Sequence, residues 1–317
     1  MRIFITGGSG FVGRAAITRL RAAGHEVLAL ARSAASAEAL RALGARPVMG
    51  DLLQPTLPGL EGAQVLVHAA APVVFWGPWS MYDREVVQAS RDWYRHAAAQ
   101  GVKRFIQISS ESVLQGRGDL LDIDETQPVA DPPNSDYGRA KLAAEQALQD
   151  EARRQPGCEL IVLRPSFVWG PGVPAVQTLV AKVRAGQFSW IDQGRTPFER
   201  VHVDNLAQAI ECALVAGTPG GTYLLTDDVR GSVRDTLAPL IAAEGVAVPD
   251  RSLPGGVARP LAGLVEGLWR LLGLWRTAPP LTRFDLAFVS QPRRYRIDRA
   301  RRELGYAPEP HQPGHPR

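Results

Sequence analysis

The residues with the clearest chemical potential are a tyrosine and a lysine four positions apart. Tyr137 and Lys141 fall in a segment of helical period, so both side chains are expected on one helical face. A phenol has an ordinary pKa of about 10, and a neighbouring ammonium group lowers that pKa by stabilising the phenolate. Such a phenol can carry a proton to or from a substrate oxygen. The spacing therefore predicts that Tyr137 is a general acid/base and that Lys141 tunes its pKa.

Proton transfer at a carbonyl also needs a hydroxyl donor that polarises the carbonyl oxygen. The apolar run before residue 109 ends in Ile108-Ser109-Ser110-Glu111-Ser112, which supplies such donors about 27 residues before Tyr137. In open parallel sheets, ligands bind at the carboxyl ends of the strands. We therefore expect this strand end to face the same cleft as Tyr137.

A glycine-rich turn opens the chain. Thr6 is followed by Gly7, Gly8, Ser9, Gly10, Phe11, Val12 and Gly13, placed directly after one apolar strand and at the start of a helix. In this context Gly7 makes a tight turn, Gly10 lets the backbone approach a pyrophosphate, and Gly13 lets the helix pack on the sheet. The free N–H groups at the helix start, around Phe11 and Val12, attract the negative charge. The turn predicts a dinucleotide site.

The end of the second strand bears on which dinucleotide is bound. An acidic residue there would bond the adenine ribose and favour NAD, but the sequence reads Leu30-Ala31-Arg32-Ser33. Arg32 could pair with a 2′-phosphate, so NADP(H) is favoured and NAD(H) stays open; an exposed Arg32 without a ligand is the alternative. Asp51-Leu52, after the third strand, is placed to border the adenine, although Asp51 could simply cap a helix.

These residues need a scaffold, and the first half of the chain predicts one. Short apolar runs alternate with amphipathic segments, which is typical of a parallel sheet covered on both faces. The predicted strands are Ile3–Thr6, Val27–Ala31, Arg46–Met49, Val65–Ala69, Phe105–Ser109 and Leu160–Leu163. The predicted helices are Gly13–Ala23, Ala35–Leu43, Arg84–Gln100 and Gly138–Gln149. The fold class is α/β, a Rossmann-type doubly wound parallel sheet with a smaller C-terminal substrate lobe.

The pattern also suggests how the chain is divided. Residues 1–169 are expected to form the dinucleotide-binding domain, to which 200–226 return. Residues 170–199 and 227–306 would form the substrate lobe, since prolines and glycines increase there and strands become scarce. The proline-rich tail, 307–317, is predicted to be disordered.

Composition narrows the function classes. The 36 Lys and Arg nearly balance the 32 Asp and Glu, and no nucleic-acid-binding motif is present, so no nucleic-acid partner is expected. Cys158 and Cys212 make neither a disulfide framework nor a metal-ligand spacing, so no metal is expected. A strand that begins within the first three residues leaves no room for a signal peptide, and a reducing cytoplasm is the expected location.

Taken together, the motifs resemble the extended short-chain dehydrogenase/reductases of the NAD-dependent epimerase/dehydratase superfamily. Within that group the sequence is most similar to the 3β-hydroxysteroid dehydrogenase-like reductases, and the resemblance spans nearly the whole chain. Besides the glycine turn, the matching residues of the superfamily are Asp51-Leu52, His68 to Ala71, Ser109-Ser110, Tyr137 to Lys141, Arg164-Pro165 and Trp169 to Gly172. Those of the narrower group are Phe75 to Trp79, Val201 to Asn205, Pro280 to Phe284, Arg296 to Asp298 and Leu304 to Tyr306.

The resemblance implies roles at the matching positions. Tyr137 would be the acid/base, Lys141 would hold the nicotinamide ribose, and Ser110 would bond the substrate oxygen, with Ser109 and Ser112 as alternatives. The cofactor would also contact Ala69, Ala70, Ala71, Pro165 and Val168. Dimerisation is common in the group, so a homodimer is carried as an expectation. One departure is Glu85, which stands where such enzymes usually carry an asparagine; a solvent-exposed side chain without a role is the preferred interpretation.

The substrate side carries large aromatic residues. Phe75, Trp76 and Trp79 follow the fourth strand and could form an apolar substrate wall, or they could pack the two lobes together. His202 is a further substrate candidate, although a lone histidine is more often structural.

A leucine-rich stripe lies in the C-terminal part. Leu261, Leu264, Leu268, Leu271, Leu272 and Trp275 follow helical spacing. The segment is too short and too charged to span a bilayer. It could cap an apolar pocket, make a peripheral membrane contact through 257–276, or pack as an ordinary helix of the small lobe, which is preferred.

The leading functional hypothesis is an NADP(H)-dependent oxidoreductase acting on a small molecule. It would interconvert a hydroxyl and a ketone on an apolar, sterol-like or 3-oxoacyl-like substrate, as the resemblance implies. A nucleotide-sugar epimerase and a non-catalytic NADP-binding regulator are the alternatives. A dehydratase is disfavoured, because Ser110-Glu111-Ser112 lacks the adjacent Asp-Glu pair that such enzymes need.

Overall fold

A seven-stranded sheet, parallel throughout, forms the centre of the molecule. The computed structural model describes residues 1–55, 60, 62–275, 277–279 and 282–314. The strands are β1 (Arg2–Thr6), β2 (Glu26–Ala31), β3 (Arg46–Met49), β4 (Val65–His68), β5 (Arg104–Ile108), β6 (Leu120–Ile123), β7 (Glu159–Pro165), β8 (Phe167–Trp169), β9 (Trp190–Ile191), β10 (Arg200–His202), β11 (Thr222–Leu225), β12 (Ser252–Leu253) and β13 (Arg293–Tyr295). The order across the central sheet is β11-β7-β5-β4-β1-β2-β3, and the predicted fold class is confirmed.

Helices cover both faces of this sheet. They are α1 (Phe11–Ala22), α2 (Ala34–Ala42), α3 (Trp79–Tyr82), α4 (Ala89–Ala99), α5 (Asp136–Arg154), α6 (Pro174–Arg184), α7 (Val203–Ala213), α8 (Val233–Ala243), α9 (Gly255–Leu271) and α10 (Arg283–Ser290). Alternate residues of β1 point to opposite faces, so Ile3 and Ile5 join Ile17 of α1 in one core cluster while Phe4 joins Trp93 of α4 in another. This two-sided burial explains why the strands are continuous apolar runs.

Short strand pairs and further helices lie outside the central sheet. β8 pairs with β10, β9 with β12, and β6 with β13. A separate core cluster contains Trp169, Trp190, Phe198 and Leu237. Within the segment 200–226, β11 lies beside β7 at the edge of the central sheet, with Thr222 opposite Val162. The assignment of 170–199 and 227–306 to a separate substrate lobe stays a prediction.

Two predicted elements differ from the structure. The single helix expected over 84–100 is divided into α3, a π-helical stretch (Asp83–Gln88) and α4, and it begins earlier, at Trp79. Glu85 in the π-helical stretch forms an ion pair with Arg84. The described part of the tail is packed, contrary to the expected disorder: the Glu309 N–H donates to Asn205 Oδ1, and the Ala307 N–H donates to Gln208 Oε1. Composition alone misses such contacts, because one asparagine amide can bind a polar tail's backbone.

Some residues of the motifs and segments named above are not among the described residues. They are Arg276, Pro280, Leu281 and the tail's last residues, 315–317, together with the side chain of Arg259. Within the described part, no helix is long and apolar enough to cross a membrane.

Candidate active site

Helix α5 positions the proposed acid/base pair. Its N-cap is Ser135, whose hydroxyl accepts a hydrogen bond from the Gly138 N–H at 3.0 Å. A Cβ at Gly138 would lie 2.6 Å from the Ser112 carbonyl oxygen, so only glycine lets the helix approach the Ser110–Ser112 turn this closely. The cap and the close approach together place Tyr137 opposite the end of β5.

The Tyr137 phenol lies close to the Ser110 hydroxyl. Burial raises the pKa of Tyr137 to about 12, and the interaction with Ser110 opposes this shift but is smaller. The direction is opposite to the lowering predicted from the sequence. The Lys141 ammonium lies 5.8 Å from the centre of the Tyr137 ring, but this contact does not compensate for the desolvation. The phenol therefore stays protonated throughout the neutral range.

Lys141 is buried beneath the tyrosine. Its Nζ donates to the Ile108 carbonyl oxygen at 3.0 Å, which ties α5 to the last residue of β5. Burial lowers the pKa of Lys141 to about 8, and the nearby Glu145 carboxylate opposes the shift. The same buried region holds His68, whose pKa falls to about 3 through burial and the Lys141 charge.

This lowered pKa predicts a pH dependence of stability. The folded state holds the Lys141 proton with a pKa of about 8, whereas the unfolded chain holds it with a pKa of 10.5. The unfolded state thus binds more protons between these values, so this residue makes the free energy of unfolding rise with pH by up to about 1.4 kcal/mol per pH unit. Urea unfolding of wild type and Lys141→Met between pH 8 and 9.5 measures it. An identical slope in both proteins would contradict the assignment.

A buried ionic network lies behind the lysine. Glu145, one further turn along α5, accepts two hydrogen bonds from Arg164 of β7 at 3.0 and 2.6 Å. The Ser109 hydroxyl also donates to Glu145. Because Ser109 is committed to this carboxylate, it is not available to a substrate. Ser112, the second alternative, is buried and has no hydrogen-bond partner for its hydroxyl among the described residues. Of the three serines, the structure brings Ser110 to Tyr137.

The glycine turn has the geometry that a pyrophosphate needs. Gly7 has φ +73°, and a Cβ there would lie 2.6 Å from the Ala70 nitrogen. A Cβ at Gly13 would lie 2.2 Å from the Gly7 carbonyl oxygen. Gly10 is the N-cap of α1 and offers no side-chain cap, and the first turn, Phe11 to Gly13, contains no acidic residue. The open N-terminus of α1 therefore fits the phosphates of a dinucleotide.

Other predicted cofactor residues line the same edge of the sheet. Arg32, one residue beyond β2, is exposed and has no hydrogen bond or ion pair within the part of the chain that the structure describes. The Asp51 carboxylate accepts from the Leu53 N–H at 2.9 Å, so it stabilises its own turn rather than capping a helix. Leu52 packs on the core cluster of Trp93.

The other residues expected to contact the cofactor follow strand ends. Ala69, Ala70 and Ala71 follow β4 directly and are partly buried. Pro165 ends β7, and Val168 lies in β8 opposite Val201. The alanines and Pro165 thus lie at the carboxyl ends of β4 and β7, the edge at which ligands bind in parallel sheets, and their contact with a cofactor stays a prediction.

An aromatic wall covers the phenol. The Phe75 ring lies edge-on to Tyr137 at 5.3 Å and stacks on Phe284 of α10 at 3.9 Å between ring centres. Phe284 is followed by Phe288, 6.2 Å away on the same helix. Both phenylalanines that flank the phenol are only half-buried. An apolar surface therefore lies beside the proton donor.

The structure places the other aromatic candidates elsewhere. Trp76 is buried against Trp275 at 5.4 Å and donates to the Leu274 carbonyl oxygen. Trp79 begins α3, and its ring lies 4.7 Å from the Arg139 guanidinium. Trp76 thus packs the loop after β4 against the end of α9, which is the alternative that the sequence left open, and neither tryptophan has a described ring contact with Tyr137.

His202 belongs to a separate cluster. It caps α7, and its ring stacks on His311 at 3.7 Å with an interplanar angle of 16°. Asp204 completes a group whose ligand atoms lie within 4.8 Å of one another, which the sequence spacing did not predict. Ring lone pairs lie in the ring plane, so two nearly parallel imidazoles do not converge on one ion in this geometry. The cluster joins the tail to α7 and contributes no described contact to Tyr137.

Sequence reasoning missed several residues around the phenol. The Glu145 carboxylate had a signal, because it continues the four-residue spacing of Tyr137 and Lys141 on one helical face. Arg164 and Phe284 were noted only as parts of family patterns, and no local signal placed either beside α5. Their contacts join segments far apart in the chain, which a reading of neighbouring residues does not reveal.

Comparison with known proteins agrees with this geometry. Residues 3–225 match the NAD dependent epimerase/dehydratase family. The chain is 34% identical to a 4-hydroxy-2-methyl-3-oxo-4-farnesyl-3,4-dihydroquinoline-1-oxide ketoreductase of Stigmatella aurantiaca, over 97% of this chain and 92% of that protein. It is 30% identical to a 2-alkyl-3-oxoalkanoate reductase of Stenotrophomonas maltophilia, over 98% and 95% of the two chains. The crystal structure of gox2253 superposes with a TM-score of 0.79 at 30% identity, covering 97% of this chain and 93% of the other.

Proposed function

Because the chain belongs to the NAD dependent epimerase/dehydratase family, we propose that it is an NADP(H)-dependent oxidoreductase that interconverts a ketone and a hydroxyl on an apolar substrate. The two relatives named above support this activity, since one is a ketoreductase and the other a 3-oxoalkanoate reductase. The substrate class that follows is a 3-oxoacyl-like or sterol-like ketone. The broader assignment, an NAD(P)-dependent enzyme acting on CH–OH groups, agrees with both relatives.

One arrangement carries the proposal: the Tyr137 phenol lies beside the Ser110 hydroxyl and in contact with the Phe75 and Phe284 rings. A phenol with a pKa of about 12 is protonated at neutral pH, and the protonated phenol is the form that donates to a ketone oxygen. The Phe75 and Phe284 rings suit an apolar group next to that oxygen. These features favour ketone reduction over proton abstraction at neutral pH.

The proposed mechanism assigns each residue one task. The Ser110 hydroxyl donates a hydrogen bond to the substrate carbonyl oxygen, and Tyr137 transfers its proton to the same oxygen. The buried Lys141 ammonium would hold a ribose hydroxyl of the cofactor and would stabilise the phenolate that remains. The α1 N-terminus with Gly7, Gly10 and Gly13 would bind the pyrophosphate, and Pro165 and Val168 would contact the carboxamide. A bound nicotinamide supplies the hydride in reduction and accepts it in oxidation.

A direct assay tests this proposal. Purified protein is incubated with NADPH or NADH and with 2-alkyl-3-oxo esters, a 3-ketosteroid or UDP-glucose, and the oxidation of the cofactor is followed by absorbance. We expect turnover of an apolar ketone with stoichiometric NADPH oxidation. Conversion of UDP-glucose with a tightly held, non-exchanging cofactor would instead identify an epimerase, and would contradict the proposal.

The preference for NADP(H) rests on Arg32 and has its own test. Hydrogen bonds to a charged group contribute about 1.5–3 kcal/mol, so Arg32→Ala should weaken NADPH binding by about 10- to 150-fold and leave NADH binding unchanged. A fluorescence titration with each cofactor measures both constants. Arg41→Ala is the matched control, because Arg41 lies exposed on α2 in a local ion pair with Glu38. Tighter binding of NADH than NADPH by the wild type would refute the assignment.

A further inference from the structure

Helix α9 exposes a continuous apolar stripe on its outer side. The stripe residues recur at intervals of four and three: Val257, Leu261, Leu264, Leu268 and Leu271 lie on the helix, and Trp275 follows its end. Leu264 is 73% exposed and Leu271 83%. Large apolar residues scattered singly on a surface need no explanation, but a contiguous row of them marks an interaction site. We call these six residues the α9 stripe.

The opposite side of α9 already holds the helix on the protein. Ala258 and Ala262 are buried against Ile191 and Leu286. The buried Glu266 carboxylate accepts from the Arg283 N–H at 2.9 Å and from Arg270. Ala258, Ala262 and Glu266 therefore hold the inner side of α9 on the protein, while the leucines face outward. The α9 stripe is thus not required for the packing of its own lobe.

The composition beside the stripe indicates what covers it. In helix pairs that associate specifically, charged residues flank the apolar seam and select the partner. Here the nearest flanking positions within the helix, 260, 265 and 267, hold Pro, Val and Gly, and the segment 257–276 is basic, with Arg259, Arg270 and Arg276 against Glu266. A wide apolar arc in a basic segment is typical of helices that lie on a bilayer surface, and it lacks the alternating charges that would select a second copy of the helix.

The stripe is continuous with the proposed active site. Trp275 at its end stacks on Trp76 at 5.4 Å. The neighbouring Phe75 contacts the Tyr137 ring, and Val73 and Val74 of the same loop are exposed. One short loop after β4 thus connects the outer apolar surface with the catalytic phenol.

From these observations we propose that the α9 stripe, together with Val73 and Val74, is a docking face for a lipid bilayer surface. The reason for docking rests on the proposed function. An apolar ketone dissolves in a bilayer, and an enzyme bound to the bilayer can take up this substrate beside Tyr137. The contact is peripheral, since α9 lies on the surface with its inner side held by the protein.

The charges near the α9 stripe predict how docking depends on anionic lipid and on salt. Arg270, the exposed cation beside Trp76 and Trp275, is already ion-paired with Asp136 at 2.8 Å and with Glu266 at 3.1 Å. The segment nevertheless keeps a positive balance through Arg259 and Arg276. Docking should therefore depend mainly on apolar burial, with tighter partitioning onto anionic vesicles that 0.5 M salt (about a 4 Å screening length) brings back to the level of neutral vesicles.

The test uses the full chain saturated with NADPH and sedimentation with vesicles of phosphatidylcholine, alone or with about a quarter of phosphatidylglycerol. The Leu264→Glu/Leu271→Glu variant should lose at least tenfold in vesicle partitioning. Val215→Glu is the matched control, because Val215 is 74% exposed and lies just after α7, outside the stripe. It should partition like the wild type, and all three proteins should reduce a short, water-soluble ketone at the same rate.

The outcomes separate this inference from the proposed function. Wild type that stays in the supernatant, or a double variant that still partitions, overturns the docking face. A wild-type dimer that the double variant dissolves, without vesicle binding, also overturns it and assigns the stripe to a second copy. Partitioning that is lost only in the double variant supports the inference, and it does so even if no ketone is reduced, because sedimentation does not depend on turnover. A raised KM for a bilayer-dissolved ketone in the double variant, with unchanged kcat for the soluble one, supports substrate delivery.

Discussion

Tyr137→Phe should reduce kcat for ketone reduction by about 10²- to 10⁴-fold, the range that a positioned proton donor contributes. The substitution removes one oxygen and keeps the ring, so the contacts with Phe75 and Phe284 remain. At the phenol itself, only the interaction with the Ser110 hydroxyl is lost. NADPH affinity should stay within about twofold, because this hydroxyl is proposed to act on the substrate oxygen.

The comparison that isolates this effect is Tyr94→Phe. Tyr94 is also buried, and its hydroxyl donates to the Cys158 carbonyl oxygen in the core cluster of Trp93. This variant should retain wild-type kcat, so any general cost of removing a buried phenolic hydroxyl is accounted for. Steady-state kinetics with an apolar ketone and a fluorescence titration with NADPH provide both readouts. If Tyr137→Phe kept more than a tenth of the wild-type kcat, Tyr137 would not be the proton donor. Unchanged biological activity would favour the non-catalytic regulator.

Glu145→Gln should lower the free energy of unfolding by about 3–5 kcal/mol, the cost of leaving one partner of a buried ion pair uncompensated. The Arg164 and Glu145 side chains are 8% and 6% exposed, so water cannot replace the lost charge. The substitution keeps the volume of the side chain and its hydrogen-bonding oxygen. Most of the change therefore reports the unpaired Arg164 charge, and urea unfolding at pH 7 measures it.

Two further variants make the interpretation specific. Glu85→Gln breaks the exposed pair with Arg84 and should change the free energy of unfolding by less than about 1 kcal/mol. Glu145→Leu combined with Arg164→Met replaces both charges and should recover much of the stability lost by Glu145→Gln, because no unpaired charge remains. A double variant no more stable than Glu145→Gln would show that the network stabilises through hydrogen bonds rather than charge balance.

The fold and the parts of the site that depend on local spacing could be predicted from the sequence. β1, the glycine turn and α1 follow each other within the first 22 residues, and their order fixes where phosphates bind. The Tyr137 and Lys141 spacing works in the same way, since one helix determines both positions. The strands of a parallel sheet end at one edge, so the position of Ser110 after β5 also predicted that it would face the cleft.

The surroundings of Tyr137 and Trp76 could not be predicted from local spacing. The pKa of Tyr137 depends on how far Phe75 and Phe284 exclude water, and α10 contributes Phe284 from a distant segment. The sequence predicted that Lys141 lowers this pKa, and it did not reveal the burial that raises it. Trp76 shows the same limit: its residue type suited a substrate wall, and only the position of α9 decides that it packs against Trp275.

The strand order of the central sheet has a consequence for synthesis on the ribosome. Beyond β1, one side of the sheet grows outward in chain order, through β4, β5, β7 and finally β11. Each new strand can therefore pair with an edge that has already emerged, and no strand must be inserted between two that are already paired. β5 nevertheless has to wait more than fifty residues for β7 to cover its apolar edge, and β7 has to wait at least as long for β11. During each interval the nascent chain presents an open strand edge, which makes it prone to aggregation and dependent on chaperones.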